Sequence, residues 1–342
     1  MQPNSFVTAT TNQYLTPSWV DIVLRDNWFF GELLKKSQQF KGSQVLQPVK
    51  YQKGVASVAF SGFDVLPITQ IPTTVNMVFY PSFVATNIAL AGSDLSVNRT
   101  QEKVLDLMKV TMEARAQDAA DDIGNMLQGD GTTFGGKAPM GLLGIVDDGT
   151  DLANYGGLSR ATYTGLKAYV TTATNGQITL LQLRQMWNNI SDGPVAPDCA
   201  VTDYTTWGYV ENLLFAFQRN NYNQGDMKSM SAGAAFRTLM WDGIEIYRDK
   251  KITTGYFYML NMKYLRWDAL KWWEGESISP KAVDVEGNVY ESSHYSPKGA
   301  FTWTDWIKAY NQLTLNGYIV LGGQAICVAP FRQAKMTGVT GS

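Results

Sequence analysis

The residues best suited to chemistry in this sequence form an aromatic and acidic cluster in its C-terminal third. Trp267, Trp272 and Trp273 are followed closely by Glu274 and Glu276. Aromatic rings can stack on sugars, and a glycosidase needs two carboxylates held across the bond, roughly 5 to 10 Å apart. Closeness in sequence does not provide that geometry, and aromatic residues also fill cores and interfaces. A carbohydrate-active enzyme that uses the segment from Trp267 to Trp273 is therefore one hypothesis for function.

Other patterns that could carry chemistry are weak. His294 is the only histidine, which argues against a histidine-based metal site and against a serine triad. The loop GDGTTFGGK lacks the G-x-x-x-x-G-K-[ST] pattern of a phosphate-binding loop and follows a predicted helix, where such a loop should follow a strand. Cys199 and Cys327 lie far apart among apolar neighbours and are interpreted as buried, reduced thiols.

Two acidic pairs lie beside predicted turns. Asp121-Asp122 and Asp147-Asp148 have no further ligand residues next to them, and we interpret them as solvated faces or caps. No nucleophile and base stand together elsewhere in the sequence. The sequence therefore predicts no catalytic residue, no cofactor-binding residue and no metal ligand.

Composition and charge exclude several classes of protein. The chain has 342 residues, of which 45% are hydrophobic and 12% aromatic, so it is not disordered and suggests about two domains. Lys and Arg number 28 against 30 Asp and Glu, for a net charge of −2, without the basic excess of a dedicated nucleic-acid binder. No apolar run approaches about 18 residues, so no membrane-spanning helix is predicted. The N-terminus lacks the pattern of a signal peptide.

One long amphipathic helix is predicted over residues 98–129. Asn98 and Gln101 form a capping box at its start, and Gly129 supplies the stop. An apolar stripe recurs at steps of three or four residues: Val104, Met108, Met112, Ala116, Ala119, Ile123 and Met126. At about 1.5 Å per residue this helix is roughly 45 Å long, which suits a rod against which thinner elements lie.

The segments before this helix are apolar but thin. Residues 1–43 contain a short helix that opens at Thr16-Pro17. Residues 44–88 alternate with a period of two and predict a β-hairpin. Its outgoing strand passes through Val45 and continues to Phe60, its tip is SGFDVLPITQIP, and its return strand runs from Val75 to Phe79.

Neither segment can bury its apolar side chains alone. An isolated two-stranded ribbon is marginal in water, so it must lie either on its own domain or on a neighbouring subunit. The second alternative predicts inter-subunit contacts by Trp19, Phe29, Phe30, Phe60, Phe63, Leu66, Ile68 and Phe79.

A second unit is predicted from about residue 178. It begins with a helix in ITLLQLRQMWNNISDG, then a strand in CAVT and a helix that starts after Asp203 or Thr205. Two or three strands follow, with turns at Asp242-Gly243 and at Thr254-Gly255. The stretch LTLNGYIVLGGQAICVAP predicts one or two closing strands.

The order of these segments closely resembles that of the major capsid proteins of tailed bacteriophages, the Hong Kong-97-type fold that encapsulins also use. The resemblance rests on FSGFDVLPITQIPTTVNMVFYPSFVATNIAL, NMLQGDGT, GLLGIVDDGT, YGGLSRATY, PDCAVTDYTTWGYVENLL, AFRTLMWDGIEIYRDKKITTGYFYMLNMKYLRW and the closing strands. Together these stretches cover most of residues 40 to 335. Each is degenerate alone, but their order and spacing are fairly specific.

This resemblance implies an α+β fold with a particular division of the chain. Residues 1–43 would be the N-terminal arm and 44–88 the extended loop. Residues 89–177 would be the peripheral domain with the spine helix 98–129, and 178–300 the axial α/β domain. Residues 301–342 would supply the closing strands and the C-terminal tail.

The implied function is structural and not enzymatic. The chain would be a major capsid protein that self-assembles into hexamers and pentamers and forms the icosahedral head of a tailed phage. Its partners would be copies of itself, packaged double-stranded DNA held by non-specific contacts, and scaffold, portal and decoration proteins, with no membrane. It would assemble in the host bacterial cytoplasm and reside in the virion. An encapsulin-like compartment shell is the alternative within the same fold.

Overall fold

The computed structural model of the chain divides it into two compact units, each built from three segments. Unit 1 comprises Met1–Val45, Tyr80–Gly141 and Arg266–Ile326, and unit 2 comprises Leu46–Phe79, Leu142–Leu265 and Cys327–Ser342. The structure describes residues 16–55, 57–66, 71–97, 101–218, 239–270, 282–283, 289–290, 301–303, 306–308 and 314–341.

The segment predicted as the peripheral domain, residues 89–177, contributes to both units, because the chain passes from unit 1 to unit 2 between Gly141 and Leu142. Residues 142–177 belong with the later segment because their strand β7 (Tyr169–Thr172) joins the sheet of unit 2. Sequence order alone does not reveal this pairing, since the neighbouring strand β18 (Ala334–Thr337) lies close to the C-terminus.

The helices of unit 1 include the predicted long helix. They are α1 (Thr16–Asp26), α2 (Trp28–Lys35), α3 (Gly92–Val97), α4 (Gln101–Gln128) and the short turn α5 (Thr133–Gly136). Helix α4 buries Met108, Met112, Ala116, Ala119 and Ile123 of the predicted stripe, while Asp121 and Asp122 on the other face are exposed. The proposed N-cap Asn98 lies outside the described residues.

One buried polar residue joins the two N-terminal helices to α4. Asn27 interrupts the chain between α1 and α2, and its side-chain amide donates hydrogen bonds to the carbonyls of Val23 at 3.1 Å and Ala120 at 2.8 Å. Only 3% of Asn27 is exposed. Because a buried amide is costly without partners, these bonds fix where α1 and α2 meet α4.

The sheet of unit 1 is organised around its longest strand. Strand β17 (Thr314–Cys327) pairs antiparallel with β4 (Ser82–Ala91), β15 (Phe301–Trp303) and β16 (Ile307–Lys308). It also neighbours β12 (Leu265–Leu270), and β12 pairs in parallel with β1 (Gln38–Phe40). A separate two-stranded sheet joins β13 (Ala282–Val283) and β14 (Val289–Tyr290).

Aromatic rings from distant parts of the sequence form the centre of this unit. The ring of Phe30 meets Trp267 edge-to-face at 5.2 Å between centroids and Phe301 at 6.0 Å. Trp19 meets Phe301 at 5.6 Å. All four are at most 2% exposed, so the apolar face of the arm helices is buried within the subunit.

Unit 2 contains a mixed six-stranded sheet with helices. The sheet has the order β7, β18, β11 (Phe257–Leu260), β8 (Cys199–Thr202), β10 (Ile244–Arg248), β9 (Leu239–Trp241). Two small sheets pair β2 (Val45–Lys50) with β3 (Thr74–Phe79) and β5 (Asn154–Tyr155) with β6 (Leu158–Ser159). The helices are α6 (Leu142–Ile145), α7 (Leu180–Ile190) and α8 (Tyr204–Gln218), with 3-10 turns at Thr164–Leu166, Met262–Tyr264 and Pro330–Arg332.

Local signals in the sequence explain the ends of these elements. Helix α7 starts with a capping box between Thr179 and Gln182. The Asp203 carboxylate accepts hydrogen bonds from the backbone of Thr205 and Thr206 at the start of α8. Asp242 and Gly243 have φ of 50° and 85°, which suits the tight turn between β9 and β10.

Candidate assembly surface and its buried anchor

An exposed apolar segment extends from the paired strands β2 and β3. We call residues 55–71 the tip segment, and residues 45–79 as a whole the ribbon. Every described residue from 57 to 66 is exposed. Its large apolar side chains have unusually high exposed fractions, which are Val55 41%, Val58 54%, Phe60 64%, Phe63 106%, Val65 95%, Leu66 49% and Ile71 41%. A run of exposed apolar side chains marks a surface for interaction.

The described residues of the tip segment form no strand, although a strand to Phe60 was predicted. Strand β2 ends at Lys50, and a tight turn closes the tip where the Ser61 amide donates to the Asp64 carboxylate at 2.9 Å. The two limbs meet where the Tyr51 amide donates to the Thr73 carbonyl at 3.1 Å. Alternating apolar residues form a strand only with a partner strand beside them, and the described residues of the tip segment have none.

The structure separates the predicted contact residues into two groups. Trp19, Phe29, Phe30 and Phe79 are buried within the subunit, where they are at most 3% exposed, and their contact with a second subunit stays a prediction. Phe60, Phe63 and Leu66 are exposed on the tip segment. Ile68 lies outside the described residues. The exposed part of the predicted contact surface is therefore the tip segment.

The return strand of the ribbon is anchored by a tight hairpin. We call residues 154–159 the docking turn; it comprises β5, Gly156, Gly157 and β6. The Val78 amide donates to the Gly156 carbonyl at 2.8 Å, and the ring of Phe79 meets Tyr155 edge-to-face at 5.2 Å. Met77 and Phe79 are 0% and 3% exposed. One end of the ribbon is thus fixed while the tip segment is in solvent.

Glycine is required where the docking turn meets the ribbon. Gly156 and Gly157 have φ of 56° and 74°, as a two-residue type I′ turn needs. A Cβ on Gly156 would lie 2.7 Å from Cβ of Met77 and 3.0 Å from the ring of Phe79, whereas a Cβ on Gly157 would meet nothing within 4 Å. The backbone of Gly156 therefore approaches β3 more closely than any side chain permits.

Tyr155 is held from three directions. Its hydroxyl accepts from the Cys327 amide at 2.8 Å and donates to the Cys327 carbonyl at 3.3 Å. The guanidinium of Arg160 lies over its ring at 5.1 Å, and Phe79 contacts its edge. Only 1% of Tyr155 is exposed, so its conformation is set by these contacts.

A buried charge cluster lies next to Tyr155. Arg160 forms an ion pair with Asp147 at 2.7 Å and donates to the carbonyls of Gly144 at 2.7 Å and Leu152 at 3.2 Å. Lys335 lies 3.7 Å from Asp147 and 2.9 Å from Asp151. Asp147, Arg160 and Lys335 are at most 1% exposed. Buried charges persist only when they are paired and hydrogen-bonded, as here.

The protonation of this cluster follows from its contacts. Burial alone would raise the pKa of Asp147, but hydrogen bonds from the amides of Leu152, Gly149 and Asp151, together with Arg160, outweigh it and hold the pKa below its ordinary value. Burial lowers the pKa of Arg160, an effect that the Asp147 charge opposes. Burial also raises the pKa of the Cys327 thiol to about 12, and both cysteines are buried thiols outside any disulfide, as predicted.

The sequence interpretation of Asp147 was incomplete. Asp148 caps a turn by accepting from the Thr150 amide at 3.0 Å, in line with the predicted capping role. Asp147 also caps backbone amides, but it is completely buried and paired with Arg160. The β5–β6 hairpin lies between Asp147 and this partner cation, and no periodic pattern links the two in the sequence.

The aromatic cluster considered for sugar binding does not present Trp267. That ring is 1% exposed and packs on Phe30, so it cannot serve as a sugar platform. Trp272, Trp273, Glu274 and Glu276 lie outside the described residues. Within the part of the chain that the structure describes, no three His, Cys, Asp or Glu side chains converge as metal ligands, and no helix has the length and apolarity to cross a membrane.

Comparison with known proteins defines the class of fold. The sequence matches no family model and no curated protein. The structure is similar to a chain of the cyanophage A-1(L) capsid, with a TM-score of 0.68 at 12% identity over 92% of this chain and 93% of that one. It is also similar to the capsid of a native GTA particle, with a TM-score of 0.57 at 10% identity over 90% of this chain and 89% of that one. A third similar structure is the holo-SrpI encapsulin complex of Synechococcus elongatus, with a TM-score of 0.52 at 9% identity over 96% of this chain and 90% of that one.

The chain therefore has the mixed α+β capsid fold of phage capsid structures, which encapsulin-type shells share. The fold extends over about nine-tenths of the chain, so it accounts for both units.

Proposed function

We propose that this protein is a shell-forming subunit, the major capsid protein of a tailed double-stranded DNA bacteriophage. Copies of the chain assemble into hexamers and pentamers and then into an icosahedral head. The observation that carries the proposal is the exposed tip segment, which belongs to a chain with a capsid fold and extends from a firmly anchored strand.

Burial of the tip segment is favourable only when a second molecule covers it. Phe63 and Val65 are 106% and 95% exposed, and complete burial of such side chains contributes about 1.5–3 kcal/mol each. In a closed shell each subunit covers the tip segment of one neighbour, and another neighbour covers its own. The favourable free energy of burial therefore recurs at every interface. The anchored base reduces the entropy lost on association because one end of the ribbon is already fixed.

The roles of the segments are part of this proposal. Residues 1–43 act as the arm and residues 44–88 as the extended loop. Residues 89–177, with the spine helix, form the peripheral domain, residues 178–300 form the axial domain, and residues 301–342 supply the closing strands and the C-terminal tail. A net charge of −2 suits a shell of many copies because strongly charged subunits repel one another. Packaged DNA is held by scattered contacts to its phosphates, without base recognition.

An encapsulin-like compartment is the second candidate. It is supported by the likeness to the encapsulin complex, which extends over 96% of this chain. The two candidates share shell assembly and differ in content, which is nucleic acid in a virion and protein cargo in a compartment. Assembly in the bacterial cytoplasm, with scaffold, portal and decoration proteins as partners, belongs to the phage proposal.

The decisive experiment is expression of the chain followed by negative-stain electron microscopy and light scattering. We expect shells, tubes or capsomer rings, and we expect a variant lacking residues 61–72 to remain folded by circular dichroism while it fails to assemble. Intact shells from the deletion variant would contradict the assignment of the tip segment. A monodisperse monomer, even after co-expression with the neighbouring genes of its source, would contradict shell formation itself.

The content of the particles then separates the two candidates. Nuclease-protected double-stranded DNA in particles from the native source supports the virion. Particles that contain a single enriched protein and no protected DNA support the compartment.

A further inference from the structure

Strand β3 of the ribbon is fixed at a small contact in unit 2, while the other limb is held separately by the buried side chain of Val49 and by the edge-to-face contact of Tyr51 with Tyr163 at 5.2 Å. Strand β3 meets the docking turn through the Val78 amide, the buried side chain of Met77 and the ring of Phe79. The side chains of the tip segment, by contrast, are all exposed in the described residues. A small rotation at the base therefore moves the tip by a much larger distance.

Tyr155 holds the docking turn in place. Its ring is enclosed by Phe79 and Arg160, and its hydroxyl exchanges two hydrogen bonds with the backbone of Cys327. Arg160 is in turn held by the buried carboxylate of Asp147. These contacts connect the ribbon to the C-terminal segment that leads into the central sheet of unit 2.

We propose that Tyr155 is a positioning residue that, through the Gly156 contact with β3, sets the direction of the ribbon and so the geometry of subunit assembly. Only the claim about the geometry of subunit assembly rests on the proposed function. The claim about the direction of the ribbon concerns the isolated subunit, in which the docking turn keeps β3 from moving relative to the rest of unit 2.

The two glycines of the docking turn provide a matched test. Gly156→Ala and Gly157→Ala place alanine at similar positive φ values, so they introduce similar backbone strain. Only Gly156→Ala adds a Cβ that collides with Met77 and Phe79. The difference between the two variants therefore reports on the contact between the docking turn and the ribbon.

Hydrogen exchange of the isolated subunit is the first readout. We expect the Val78 amide to exchange at least about tenfold faster in Gly156→Ala than in Gly157→Ala, with core amides of β8 and β11 unchanged. Equal exchange in the two variants would overturn the proposal.

Tyr155→Phe tests the same link without adding bulk, in case Gly156→Ala does not fold. It keeps the ring on Phe79 and removes only the hydroxyl bonds to Cys327. We expect faster exchange at Val78 here too, and an unchanged rate would overturn the role of Tyr155.

Particle geometry is the second readout. We expect Gly157→Ala to give particles of the parental diameter and Gly156→Ala to give a wider spread of diameters or open sheets. If both variants give identical particles while exchange at Val78 is faster only in Gly156→Ala, control of assembly geometry is refuted. The claim that the docking turn holds the ribbon would then still stand. If the parental chain forms no particles, the proposed function fails, while the exchange result still decides whether the docking turn holds the ribbon.

Discussion

Arg160 and Asp147 form an ion pair at 2.7 Å with both side chains excluded from solvent. Backbone groups satisfy the remaining hydrogen-bonding capacity of the pair. Asp147 accepts hydrogen bonds from the backbone amides of Gly149 and Leu152, and Arg160 donates to the carbonyls of Gly144 and Ile145. The segment 144–160 thus contains a buried charge pair beside its buried apolar residues Ile145, Val146 and Tyr155.

Removal of the negative charge should be costly. Asp147→Asn leaves the Arg160 guanidinium buried without its counter-charge, and we expect the free energy of unfolding to fall by about 3–5 kcal/mol. Asp148→Asn is the matched control because Asp148 is partly exposed and caps only Thr150; we expect a loss of about 1 kcal/mol or less. Urea unfolding followed by circular dichroism measures both, and equal losses would contradict the central role of Asp147.

The same carboxylate predicts a dependence of stability on pH. Because the folded pKa of Asp147 lies below its unfolded value, its contribution is complete above the ordinary pKa of about 4 and is lost as pH falls through the folded pKa. Wild-type protein should therefore lose more stability between pH 6 and pH 3 than Asp147→Asn does. Unfolding free energies at these two pH values give the comparison, and parallel losses would show that Asp147 does not contribute.

The tip segment should matter for assembly and not for folding. Phe63 and Val65 are almost fully exposed, so Phe63→Ser with Val65→Ser should change the unfolding free energy by less than about 0.5 kcal/mol. Particle yield should fall sharply, as measured by light scattering. Leu181→Ser is the control, since Leu181 is 68% exposed on α7; it should leave the yield unchanged. A similar loss of yield in both would mean that exposed apolar area in general drives association.

The aromatic contact between the arm and the sheet of unit 1 can be measured as a coupling energy. Phe30→Ala and Trp267→Ala should each cost about 3–5 kcal/mol because both rings are buried. Their double-mutant cycle should give a coupling of about 0.5–1.5 kcal/mol from the edge-to-face contact. Phe30→Ala combined with Val110→Ala, on the exposed face of α4, should be additive; coupling there would indicate a rearranged arm.

Regular elements were predictable from sequence where a periodic signal existed. The stripe from Met108 to Ile123 predicted the buried face of α4, and the Asp242-Gly243 turn predicted the hairpin of β9 and β10. These features depend on near neighbours in the same helix, or on one turn, so the local sequence contains the information.

Features that depend on distant partners were missed. Phe30 was expected to contact another subunit, but it packs on Trp267 and Phe301, which belong to the C-terminal third of the sequence. The strand expected through Phe60 has no partner among the described residues. The candidate surface was located because Phe63 and Leu66 are apolar, but the anchor of the ribbon at Gly156 had no signal beyond a Gly-Gly pair.

Strand β17 has a consequence for synthesis on the ribosome. It is the hub of the sheet in unit 1, yet its partner β4 is made much earlier, in the first third of the chain. Until residues 314–326 have emerged, β4 has no edge to pair with, and this unit cannot complete its fold. High contact order of this kind delays folding until the distant strand is available. A truncated nascent chain without residues 314–326 therefore lacks the strand on which the sheet of unit 1 is organised.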